Sequence, residues 1–207
     1  MNARDSANER GEVPAEDALE REWLDAIARG ERGAIEALYG RYHARLVRFL
    51  SRHAVHRELI DEIINEVFWI VWRKADGFRG DSKIATWIIG ITYRCMLKTL
   101  RHQNTQASWR EERAVDPVVA NAGLADNEES ERRELRDWVA RGLELLPSEQ
   151  RMTIELAYYC GQSCEEIATI MDCAPGTVKA RLFHARVRLR NLLPALGGEG
   201  DSCFNNG

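Results

Sequence analysis

The chain has 207 residues and a formal net charge of −4, with 44% hydrophobic residues, 30% charged residues and five prolines. That length holds one domain or two small ones, and the longest apolar runs, such as Val67 to Trp72, are far too short to cross a bilayer. The polar, acidic N-terminus does not read as a signal peptide, and five cysteines (Cys95, Cys160, Cys164, Cys173, Cys203) without framework spacing point to reduced thiols in a cytoplasmic protein.

Residues 1–18 read as a disordered acidic extension. Helical periodicity starts near Leu19 and continues through Trp23, Ile27, Ile35, Leu38 and Tyr42 to Phe49, with a break around Gly30 to Gly33. A second helical block covers Arg57 to Lys74. Its stripe of Ile60, Ile63, Ile64, Val67 and Val71 faces a core, and Glu62, Asn65, Glu66 and Trp69 share another face. An aromatic among acids and an amide suits a protein partner. On spacing alone, Trp69 fits equally well against another helix of its own domain.

The loop Asp76 to Lys83 leads into a third helix, from about Ala85 to His102. Trp87, Arg94, Lys98 and Arg101 fall near one face of it. A ring that stacks a base, beside cations that follow phosphate, suits a partly opened nucleic-acid strand. Trp87 suits a core position equally well. Residues 103–130 are polar, carry Pro117 and Gly123, and show no sustained stripe, which predicts a flexible linker. With few prolines and little strand-like alternation, the fold class is all-α. It comprises two small helical domains, residues 19–102 and 131–195, followed by a loose tail over 196–207.

Helicity returns from Glu131 through Leu146, and Pro147-Ser148-Glu149-Gln150 opens another helix with Ser148 as its expected cap. Ser163 to Leu193 then reads as a helix-turn-helix, a motif that places one helix in a DNA major groove. Ser163 with Glu166 makes a capping box, Asp172 to Ala174 a turn, and Pro175 the first residue of the second helix. Val178, Leu182, Ala185, Leu189 and Leu192 face inward. Thr177, Lys179, Ala180, Phe183 and His184 lie off that stripe, near the helix start, and Arg186, Arg188 and Arg190 follow. The bland alternative is an amphipathic hairpin with a basic solvated face. Charge favours the DNA reading: Arg79 to Arg101 holds five bases against Asp81, and Gly176 to Leu193 holds no acid.

Three motifs in order resemble the extracytoplasmic-function (ECF) sigma factors of bacterial RNA polymerase, over about residues 20–195. They are Glu62-Ile-Ile-Asn-Glu-Val-Phe68, Phe78-Arg-Gly-Asp-Ser-Lys-x-x-Thr-Trp87, and Glu166-Ile-Ala168 with Gly176-Thr-Val-Lys-Ala-Arg181. The resemblance implies that Glu62, Asn65, Glu66 and Trp69 bind the polymerase core at its clamp helices. It implies that Phe78, Arg79, Asp81, Ser82, Lys83, Trp87, Arg94 and Lys98 melt the −10 element and capture a base. It implies that Thr177, Lys179, Ala180, Arg181, Phe183, His184 and Arg186, in a motif of about residues 164–183, read the −35 duplex. The implied partners are core RNA polymerase, promoter DNA and an anti-sigma factor, with no membrane insertion. No catalytic residue, metal or cofactor is implied.

Three departures from the family pattern bear on how DNA is read. Gly90 and Arg94 stand where Arg and Asn are frequent, and Arg94 exchanges a paired donor and acceptor for a fixed cation, so a different −10 preference is expected. His184 replaces a frequent Arg and lacks its bidentate grip on guanine, worth roughly 1–3 kcal/mol of discrimination. Two readings stand beside the sigma factor. One is a free-standing regulator, which leaves the Phe78 to Trp87 loop unexplained. The other is a thiol or metal site assembled from Cys160, Cys164, Cys173 and His184, at no recognised ligand spacing. The free protein is expected to be compact and inhibited, or loosely tethered, and to extend on polymerase.

Overall fold

The computed structural model describes residues 15–53, 57–107 and 127–197, which are helical with short connections. The helices are α1 (Ala15–Ala28), α2 (Arg32–Ser51), α3 (Arg57–Lys74), α4 (Ile84–Ala107), α5 (Asn127–Glu144), α6 (Ser148–Tyr158), α7 (Cys164–Met171) and α8 (Pro175–Gly197). A short 3₁₀ turn, Ala75–Gly77, follows α3. The remainder of the acidic extension, residues 108–126 of the expected linker and the tail beyond Gly197 lie outside the described residues.

Three helices run further than their apolar stripes. Helix α1 starts at Ala15, α4 continues past His102 to Ala107, and α5 starts at Asn127. Asp17 sits well in the first turn of α1, against the positive end of the helix dipole. Polar residues extend a helix without adding to a stripe that periodicity can detect. Ser148 is not the cap of α6: it is the first helical residue, and Pro147 occupies the cap position with φ −52° and ψ 140° and no side-chain cap bond. The proline ring fixes φ near its helix-entry value, so the turn into α6 is made one residue earlier than the serine suggested.

Helices α1 to α4 form the first bundle, around Leu24, Ile27, Leu38, Leu46, Leu50, Ile63, Ile64, Ile88, Ile89 and Met96, all essentially inaccessible. The predicted stripe of α3 is buried throughout. One carboxylate joins this interior: Glu20 accepts from Arg41 Nε at 2.6 Å and from the Tyr42 hydroxyl at 2.8 Å. Burial, then the bond to Glu20, pushes the Tyr42 phenol far above its ordinary value of 10. Helices α5 to α8 form the second bundle, around Leu156, Ile167, Ile170, Val178, Leu182 and Ala185. Gly142 on α5 lies under α8; a Cβ there would stand 2.6 Å from Leu193 Cδ2, so any larger residue would make the Leu193 side chain shift. Trp138 Nε1 donates to the Leu193 carbonyl at 2.9 Å beside it.

The two bundles touch. Helix α4 packs on α7, and the buried residues of both bundles form one continuous cluster.

Candidate functional site

Three exposed faces carry the residues expected to function. The first is the outer face of α3. Glu62, Asn65 and Trp69 are exposed and Glu66 is half-buried, with Trp69 at 60% exposure. This decides the question left open by spacing: the indole does not pack inside its own domain. The Arg73 guanidinium lies 5.9 Å from the ring centroid. Glu66 Oε1 accepts from Lys98 Nζ of α4 at 2.8 Å, so this face is tied to the next.

The second face is built by the loop after α3 and the start of α4. Gly80 takes φ +80°, a left-handed conformation that suits glycine, and Arg21 Nη1 lies 3.0 Å from where a Cβ would stand. Phe78 and Trp87 pack ring on ring with centroids 5.0 Å apart, and the Arg21 guanidinium sits 5.3 Å from the Phe78 ring. Trp87 is thus partly buried, intermediate between a core side chain and a free stacking platform. Arg79 and Asp81 are exposed, Ser82 is half-buried, and Lys83 is exposed. Arg94 is exposed on α4, its guanidinium folded over Gly90.

The third face is the helix-turn-helix. The capping box is complete: Glu166 N donates to Ser163 Oγ at 3.2 Å, and Ser163 N donates to Glu166 Oε2 at 2.8 Å. A cap of this kind contributes about 1 kcal/mol. Asp172 closes α7 in a left-handed conformation, φ 52° and ψ 55°, and turns the chain into α8. Val178, Leu182 and Ala185 face inward. Thr177, Lys179, Ala180, Phe183, His184 and Arg186 are exposed at the start of α8, with Phe183 at 62% exposure. Arg186 Nε reaches the Tyr158 hydroxyl at 3.1 Å. Arg181 is held apart from this group: it pairs with Glu149 of α6 and donates to Cys173 Sγ at 3.6 Å.

Sequence patterns missed a fourth feature, the seam where α4 meets α7. Thr86 is buried, and its single hydroxyl proton serves two acceptors, Gln162 Oε1 at 2.9 Å and Glu166 Oε1 at 3.0 Å. Lys83 Nζ lies 3.6 Å from the same carboxylate. The sole sequence signal was a threonine placed on the buried side of an Ile- and Trp-rich run. Burial alone would raise the Glu166 carboxyl, but the Ser163 backbone N–H, the Thr86 hydroxyl and the Lys83 ammonium outweigh it and hold the group below 4.5. A carboxyl depressed on folding adds stability above its unfolded value, and that stability disappears as pH falls through the folded value. The seam is therefore expected to be fully supported above pH 4.5 and to weaken below it. Urea unfolding at about pH 6 and about pH 3.5 checks this: the wild type should lose more stability than Glu166→Gln over that interval.

Burial pushes the Cys95 and Cys160 thiols up to about 11. Such thiols stay protonated and are poor nucleophiles and ligands. Cys164 and Cys173 are half-buried, and Cys203 lies outside the described residues. Among the described residues no three His, Cys, Asp or Glu side chains are placed to share a metal ion. No helix among them is long and apolar enough to cross a membrane.

Comparison with known proteins places these faces in context. Residues 38–106 match the Sigma-70 region 2 family and residues 136–189 match Sigma-70, region 4. The chain is 32% identical over 179 residues to the ECF RNA polymerase sigma-E factor of Escherichia coli K12, covering 84% of this chain and 93% of that protein. It is 29% identical over 188 residues to the sigma-E factor of Haemophilus influenzae, covering 88% and 99%. Two solved structures share the fold. CnrH in complex with the cytosolic domain of CnrY gives a TM-score of 0.63 at 22% identity, covering 86% of this chain and 98% of that one. RpoE in complex with the anti-sigma factor NepR from Bartonella quintana gives 0.60 at 22% identity, covering 77% and 98%.

Proposed function

The chain belongs to the ECF sigma factors of RNA polymerase, and from that premise we propose how its surfaces divide the work. It is a sigma factor that brings core RNA polymerase to promoters and initiates transcription there. Glu62, Asn65, Glu66 and Trp69 bind the core. The loop Phe78 to Lys83, with Trp87, Arg94 and Lys98, takes the melted −10 strand. Thr177, Lys179, Ala180, Phe183, His184 and Arg186 read the −35 duplex, and Arg181 joins them on release from Glu149.

The observation that carries this division is the exposure of three separate side-chain sets on three helices. An exposed indole among acids suits a protein groove, ring and cations suit an open strand, and a basic helix start suits duplex. The protein needs no active site of its own, because DNA opens when the open state is bound more tightly than the closed one. We therefore assign it no enzymatic activity and place it with polymerase in the cytoplasm. An anti-sigma partner is assigned on the same footing, since both structural relatives were solved with a partner, one of them the anti-sigma factor NepR.

Geometry adds a requirement. The −10 and −35 positions differ by about 25 base pairs, or about 85 Å of straight duplex. A compact domain of about 100 residues has a radius of gyration of about 13 Å, so two such bodies in contact cannot reach both elements. The bundles must separate to work.

Run-off transcription with core polymerase on a promoter-fragment library tests the assignment. Specific transcripts that require this protein are the expected result. Tight duplex binding without polymerase, and no polymerase-dependent initiation, would leave a free-standing regulator instead.

A further inference from the structure

We infer that Tyr158 and Arg186 form a phosphate clamp, which anchors the DNA backbone beside the base-reading start of α8; the inference deepens, and rests on, the duplex-reading role assigned to that helix above. Within the set of residues placed on the duplex, Arg186 grips a phosphate rather than a base edge, and Tyr158 of α6 joins it.

Tyr158 is the last residue of α6, which packs on α8. It is 61% exposed, and its hydroxyl oxygen accepts from Arg186 Nε at 3.1 Å. The Arg186 guanidinium also stands 5.8 Å from the centroid of the same ring, so one side chain holds it by hydroxyl and by ring. Lys179, Phe183, Arg186 and Arg190, spaced four, three and four apart, make one exposed row along α8. Tyr158 stands beside that row.

The charge of the group that holds each arginine differs. Arg181 is engaged by an acid, Glu149. Arg186 is held by a neutral phenol; no acid occurs from Gly176 to Leu193, and none among the described residues pairs with it. Its position is fixed while its full positive charge stays available. With Nε engaged, the two terminal nitrogens remain to donate, and they present the fork that matches phosphate oxygens. The phenol uses a lone pair to hold Arg186 and keeps its own O–H proton to donate. Guanidinium and phenol together can thus bond one phosphate group.

Distance along α8 separates this clamp from base reading. A helix rises about 1.5 Å per residue, so Arg186 lies about 13 Å behind Thr177. The major groove is about 8.5 Å deep, and a recognition helix touches base edges with its first residues. When the start of α8 enters the groove, Thr177, Lys179 and Ala180 reach bases and Arg186 arrives at the phosphates along the edge. Contacts of that kind fix register and orientation and carry no sequence information.

Equilibrium binding of the full chain to labelled duplexes from the promoter-fragment library, with and without core polymerase, tests the clamp over a range of salt. Arg186→Ala is expected to lower affinity about 10-fold and to reduce the slope of log affinity against log salt by about one. Arg186→Lys should keep the slope and recover part of the affinity, since an ammonium carries the charge without the fork. Tyr158→Phe keeps the ring, and should lower affinity about 3- to 10-fold at unchanged slope. Each loss should be the same whichever −35 base pair is substituted. Both residues are exposed, so circular dichroism and melting temperature should stay near those of the wild type. Wild-type affinity and slope in Arg186→Ala would overturn the proposal and leave the pair to a protein partner. A loss confined to one base pair would overturn it by making Arg186 a base reader. Wild-type binding by Tyr158→Phe would overturn it by removing the phenol. If the chain binds duplex alone and core adds neither affinity nor initiation, the sigma reading falls and the clamp is judged on the free chain. Failure of the wild type to bind in either form would overturn both.

Discussion

Replacing Trp69 with alanine is expected to weaken binding to core polymerase by about 30- to several-hundred-fold, with a corresponding loss of transcription at limiting protein. The argument starts from exposure. A side chain that shows 60% of its surface to water contributes little to holding its own fold together. Its removal should leave the melting temperature near that of the wild type, within the small range usual for surface substitutions. A tryptophan of this kind, flanked by Glu62, Asn65 and Glu66, has the composition of an interface anchor, and truncation of such anchors costs about 2–4 kcal/mol. Competition for core against a labelled reference sigma factor measures the effect directly. A Trp69→Ala protein that competes as well as the wild type would show that the indole is not part of the polymerase-binding surface.

The second large effect is structural. Ile167→Ala is expected to cost about 2–5 kcal/mol, since it empties a site with no exposure at the centre of the second bundle. Each kcal/mol shifts the midpoint of a domain this size by about 4–8 °C, so a fall of about 10 °C or more should appear in thermal circular dichroism. Ile167 lies on α7, whose orientation fixes the turn into α8, so loss of −35 duplex recognition should track the unfolding. A fall of about 1 °C or less would mean that α7 does not depend on this packing.

Much of this molecule is legible in its sequence where the cause is local. The α3 stripe and the Ser163–Glu166 capping box are set by residues a few positions apart and are found as expected, and of the inward row on α8 Val178, Leu182 and Ala185 are buried while Leu189 and Leu192 are half-buried. Exposure of Trp69 was not legible, because spacing says which residues share a helix face and not what stands opposite it. Helix ends that run past the apolar stripe were missed for want of periodicity, and Pro147 took the role assigned to Ser148. The rest was hidden by distance along the chain. Arg181 meets Glu149 and Thr86 meets Glu166 through the mutual placement of helices, and no periodicity encodes such a meeting. The contact of His53 with Glu155 joins residues separated by about half the chain and gave no sequence signal at all.

The ion pair between Glu66 and Lys98 links two jobs through one bond. Under the proposed division of surfaces, its acid belongs to the polymerase face and its base to the strand face. A partner that engages Glu66 hands Lys98 to the phosphates, and a captured strand hands Glu66 to the partner. Such linkage is reciprocal, so promoter opening and grip on polymerase must strengthen each other by the same factor. An exposed pair is worth about 0.2–1 kcal/mol, which caps this factor at about fivefold. The chain would thus hold its enzyme somewhat more tightly on an open promoter than off it, and would relax that hold once the strand is released.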